Sequence, residues 1–162
     1  ATTLGNHPPD NPIGTVGCGL SSLANLMNFY NASVQTNPLI LNGLAITHKV
    51  YNEDDDIQWH LAVNLPGMQR VQFVKRTLIG TNTSLEEIIT DLNADLTLGR
   101  PVVLRAERPR IGNKRRLHFM LAVGRCQNNY LVADPGPDSG FSIYNPHDPQ
   151  LTLRGTERYA PR

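Results

Sequence analysis

Apolar and polar positions along this chain follow two periods, and the change from one to the other organises it. Leu20, Leu23, Ala24, Met27 and Tyr30 recur at i, i+3, i+4, i+7 and i+10. That spacing puts them on one face of a helix from about Cys18 to Asn31. TNPLILNGLAITHKVY at 36–51 predicts a second amphipathic helix, with Thr36 as its cap and Pro38 in the first turn, where a missing N–H costs nothing. NEDDD at 52–56 is an acidic loop, and IQWHLAVNL at 57–65 predicts a third, short helix. RVQFVKRTL at 70–78 switches to strand-like alternation. SLEEIITDLNADLTLG at 84–99 carries a capping box, Ser84 with Glu87, and Gly99 as its stop. RPVVLRAE at 100–107 then predicts a buried strand and RPRIGNKRR at 108–116 a basic turn. LHFMLAVGR (117–125), NYLVADPG (129–136) and FSIYNP (141–146) predict consecutive antiparallel strands.

Helices come first and strands later, which predicts an α+β domain with an N-terminal helical lobe packed on an antiparallel sheet. The 162 residues suit one domain with a core of its own. Within it, 1–15 is expected as an extended arm rich in Pro, Asn and Gly, and 16–99 as the mainly helical lobe. The sheet is expected at 100–146 and a C-terminal tail at 147–162.

Composition narrows the function classes. A net charge of +1 gives no support to nucleic acid or an anionic membrane as partner. No apolar run approaches a membrane span. The start, ATTLGNHPPDNP, has neither signal-peptide features nor an initiator Met, which fits a processed or excised chain. Cys18 and Cys126 are the two cysteines, without a CxxC or a zinc-finger spacing, so two free thiols and no metal or other cofactor are expected. NEDDD lacks the glycine and closing glutamate of a calcium loop and is expected to be a solvated charge run. Trp59 is expected in the core, and His48 and His60 as ordinary helix residues.

Cys18 raises the chemical question. It stands between Gly17 and Gly19 at the start of the first predicted helix. There the unpaired N–H groups and the helix dipole favour a thiolate, and the glycines let a carbonyl approach. The same features also suit a small apolar residue under a tight turn. A cysteine nucleophile needs a base, and the base needs an orienting group. His118 opens the strand HFMLAV and Asp134 closes LVADPG, 16 residues later across one predicted hairpin. Alone, each reads as a structural residue; together they supply the missing parts.

GCGLSSLANLMNFY, LTLGRPVVLRA and HFMLAVGRCQNNYLVADPG resemble the papain-like cysteine peptidases of the bacteriocin-processing, double-glycine leader type, and more closely its stand-alone bacterial and phage relatives. The resemblance implies a papain-like fold. It also implies Cys18 as nucleophile, His118 as general base and Asp134 as the group that orients the imidazole. It makes a peptide or murein peptide the expected substrate and a secreted, periplasmic or virion location the expected one, alone or within a larger polypeptide or virion assembly. Where the family places an oxyanion glutamine, this chain has Pro12. Asn11 is the substitute candidate, with Thr15 nearby. Gly17, Gly19 and Arg116 are candidate substrate contacts, the last because the basic turn leads straight into His118. The residues leave two other classes open: an acyltransferase or transglutaminase using the same three groups, and a non-catalytic binding or structural module.

Overall fold

The structure is a computed structural model that describes residues 5, 17–33, 35–80, 82–135 and 140–162. The chain resolves into two compact units, Ala1–Phe73 with Ala160–Arg162, and Val74–Tyr159.

The first unit holds helix α1 (Cys18–Tyr30), helix α2 (Pro38–Thr47) and a 3-10 turn (Trp59–Asn64). The predicted stripe of α1 is its buried one: Leu20, Leu23, Ala24 and Met27 are at most 3% exposed. Asn37, not Thr36, caps α2, its side chain accepting the Ile40 N–H at 3.0 Å. Thr36 is unavailable because Asn28 of α1 holds its backbone, accepting its N–H at 2.9 Å and donating to its carbonyl at 3.0 Å. The Asn42 side-chain oxygen accepts both the Tyr51 hydroxyl and the Gly5 N–H, so one buried amide ties α2 to two other stretches of chain. Trp59 is buried, as expected. Apart from Gly5, the N-terminal arm lies outside the described residues up to 16.

The second unit is built on a six-stranded sheet of order β1-β6-β2-β3-β4-β5. Its strands are β1 (Val71–Leu78), β2 (Val102–Ile111), β3 (Lys114–Cys126), β4 (Asn129–Asp134), β5 (Gly140–Tyr144) and β6 (Thr152–Pro161). The ends of β1 and β6 reach into the first unit. Every pairing is antiparallel; for β1 and β6 this follows from Ile79 N–H on Arg154 O and Arg162 N–H on Arg70 O. The fold is α+β and papain-like.

Helix α3 (Leu85–Thr97) lies on this sheet, with Ile88 and Leu92 packed in one cluster with Val102, Leu104, Met120, Ala122 and Val132. Both halves of its capping box are present, Ser84 accepting from Glu87 N–H and Glu87 from Ser84 N–H. Gly99 ends it at φ +72°, a conformation that side chains with a Cβ avoid. Arg158 of β6 fastens the helix to the sheet: its Nε donates to Asp95 at 2.6 Å and its Nη1 to Asp91 at 3.1 Å.

Three further expectations change. Residues 147–162 are not a tail, because β6 runs through them and sits between β1 and β2. Its polar look is misleading: Thr156 and Glu157 are buried, and Arg158 faces α3. The basic segment 108–116 is not one turn but two strand ends, with Arg108 opposite Arg116 and the turn reduced to Gly112 and Asn113. Helix 84–99, expected in the helical lobe, belongs to the unit that contains the sheet.

Candidate active site

The β3–β4 hairpin brings His118 and Asp134 together. Cys126 pairs with Asn129 at its tip, where Gln127 takes a positive φ of 55°. A register shift between Ala122 and Gly124 then sets Leu121 against Ala133. Side chains alternate between faces, so His118 falls on the face of Met120 and Ala122, and Asp134 on that of Tyr130 and Val132. This is the face that α3 covers. The pair therefore sits at the end of an apolar stripe, and the same alternation that buries the stripe aims both polar groups to one side.

His118 Nε2 lies 2.6 Å from Asp134 Oδ1. The imidazole is 9% exposed and the carboxylate 25%. An ionised carboxylate can only accept, so Nε2 carries the hydrogen and Nδ1 the lone pair. The residue facing His118 across β2 is the buried Ala106, small enough to leave the ring its place. The sheet thus delivers an imidazole whose tautomer and plane are fixed by a neighbour on the same hairpin.

Cys18 is the first residue of α1 and half-buried. Its N-cap is Gly17, which has no side chain to cap the helix, and the first turn carries no acidic residue. Nothing in the first turn's side chains therefore competes with an anion for the positive end of the helix. Gly17 and Gly19 bracket it, Gly19 being buried. Cys18 belongs to the first unit, His118 and Asp134 to the second. Asn11, Pro12 and Thr15 lie outside the described residues. Arg116 is exposed, two positions before His118 on β3, and its Nη1 donates to Pro109 O at 3.3 Å. Cys126 is an exposed thiol at the hairpin tip.

Glu107 escaped the sequence reading. It closes the strand RPVVLRAE and is buried with most of that strand, 7% exposed. Arg115, Arg110 and Arg154 approach it at 3.2, 3.4 and 3.5 Å. The hydrogen bond from Arg115 leads in holding its carboxyl below the usual range, with added charge from all three arginines. The available signal was the surplus of arginine around a single acid. A surface cleft of about 370 Å³, lined by Lys75, Thr83, Glu87 and Asp91 among others, contains neither His118 nor Asp134. Among the described residues no His, Cys, Asp and Glu converge as a metal site, and no helix is long and apolar enough to cross a membrane.

The sequence profile of the Peptidase_C39 like family matches residues 5–150, a span that includes Cys18, His118 and Asp134. The chain belongs to the Peptidase_C39 like family. A crystal structure from Bacillus anthracis, of a protein provisionally assigned as a C39-like peptidase, superposes with a TM-score of 0.54 at 16% identity. The match covers 91% of this chain and 90% of that one. At that identity it speaks for the shared fold. No curated protein matches the chain in sequence. A C39-like membership points to cysteine peptidase chemistry at the level of the family.

Proposed function

We propose that this C39-like protein is a cysteine peptidase or amidase with Cys18 as nucleophile, His118 as general base and Asp134 as the positioning residue. The observation that carries the reading is the 2.6 Å contact between His118 Nε2 and Asp134. It commits one ring nitrogen to orientation and so supports Nδ1 as the atom that transfers protons. In the reaction Nδ1 takes the proton of the Cys18 thiol, and the sulfur adds to the carbonyl carbon of the substrate. The carbonyl electron pair moves onto oxygen, where the Cys18 N–H and the side chain of Asn11 receive it. Collapse expels the amine, which leaves with the proton from Nδ1, and a thioester remains. Water, losing a proton to Nδ1, adds to the thioester and releases the acid and the thiol.

The substrate is a peptide or isopeptide bond, and the peptide stem of bacterial cell wall is the first to try. Purified murein and a peptide library, each incubated with the protein and read by mass spectrometry, test this. Products with the parent and none with Cys18→Ala are expected. Products from both would remove Cys18 from the reaction, and products from neither would favour a non-catalytic binding module.

A further inference from the structure

We infer that Arg108 and Arg116 form a carboxylate subsite beside His118 that takes an acidic group of the substrate. The inference rests on the peptidase reading for the bond that is cut, but its test does not need that bond to be known. In the β2–β3 ladder Ala106 faces His118, and the next pair on the same face is Arg108 with Arg116. Two residues of strand span about 7 Å. A group held by this pair therefore lies one or two residues of extended peptide away from the imidazole.

The two faces of this hairpin treat their arginines differently. On one, Arg115, Arg110 and Arg154 surround Glu107. On the other, among the described residues, no carboxylate lies within ion-pair distance of Arg108 or Arg116. Asp134, the acid on that face, is engaged with His118. Like charges directly opposite each other weaken a ladder, so this pair costs the fold something. Arg116 is anchored by its bond to Pro109 O, and its other N–H groups are left for a ligand. A guanidinium presents parallel donors that match a carboxylate. That carboxylate comes either from a Glu or Asp side chain or from a free chain end.

The charge of an alkylating agent reads the subsite directly. In Cys126→Ser protein at low ionic strength, the rates of Cys18 with iodoacetate (anionic) and iodoacetamide (neutral) give a ratio. On the peptidase reading, which sets Cys18 against His118, two positive charges at about 7 Å in water would raise that ratio about 7-fold, and one would raise it about 3-fold. The ratio should therefore fall about 7-fold in Arg108→Gln/Arg116→Gln and about 3-fold in either single variant. It should stay put in Arg154→Gln, and the effect should shrink in high salt. An unchanged ratio in the double variant overturns the inference. The peptidase reading fails separately, if the iodoacetamide rate ignores His118. Protection of Cys18 by short peptides separates the two sources. One peptide carries an internal Glu and an amidated end, one has Gln and a free C-terminus, and one is neutral throughout. Stronger protection by the first assigns the subsite to a side chain, and by the second to a chain end. Protection no better than the neutral peptide's overturns the inference.

Discussion

Asp134 and Glu107 are both carboxylates on one sheet, each held by nitrogen donors, and they illustrate opposite uses of the same pairing. Glu107 meets three guanidinium groups. These do not give up protons at any pH the fold survives, so the cluster can only hold strands together. Asp134 meets one imidazole at 2.6 Å, a group that, unlike a guanidinium, has a neutral form able to accept a proton. On the proposed reading, the donor's chemistry, more than the carboxylate's, separates a structural tie from a proton-handling pair. The apolar strands around them are alike, and position along the ladder decides which donor each acid meets.

The largest expected effect breaks this comparison at the site. Asp134→Asn should lower kcat on any cleaved peptide by about 10²–10⁴-fold, because the amide no longer enforces the tautomer. Glu107→Gln should leave kcat within a few fold. Equal losses in the two variants would erase the distinction. Next comes Arg158→Met. Asp95 is buried and loses its partner, and breaking such a pair costs about 3–5 kcal/mol, readable as a large fall in Tm. Retention of parental Tm would mean that α3 is fastened by its apolar face alone.

Glu157 and Glu107 should show opposite pH dependence. Burial pushes the Glu157 carboxyl up to about 7 from 4.5, against the pull of Arg76, and one of its oxygens has no partner among the described residues. A raised folded-state value means that stability is fully present below pH 4.5 and is lost as pH rises through about 7. Relative to the parent, Glu157→Gln should therefore gain stability between those limits, by about 3 kcal/mol. Glu107 has a lowered value, so its contribution is present above 4.5 and lost as pH falls below it. The deficit of Glu107→Gln, about 1–2 kcal/mol at pH 7, should close in acid. Urea unfolding between pH 3 and 8 reads both. Parallel profiles for the two variants would contradict the assignments.

Much of this was legible in the chain. The stripe of α1, the capping box of α3 and the strands around His118 and Asp134 all follow from periodicity and short-range hydrogen bonding, which adjacent residues encode. What was hidden depends on partners far along the chain. β6 looked like a tail because Glu157 and Arg158 are charged. Arg76, 81 residues away, and Asp95, 63 residues away, are what make their burial tolerable. The basic segment 108–116 looked like a turn because Glu107, which offsets part of its charge, is not one of its own residues. Thr36 lost the capping role to Asn37 because Asn28, on another helix, claimed its backbone. In each case a residue's type was readable and its partner was not.

The central claim is a thiol whose proton is drawn off by His118. The most direct test is the rate of iodoacetamide with Cys18 across pH 5–9, in Cys126→Ser protein with and without His118→Ala. The account predicts rapid alkylation at pH 6–7 that falls at least 10-fold when His118 is removed, with the remaining rate rising only towards the ordinary thiol value of about 8.5. Superimposable profiles for the two proteins would contradict it.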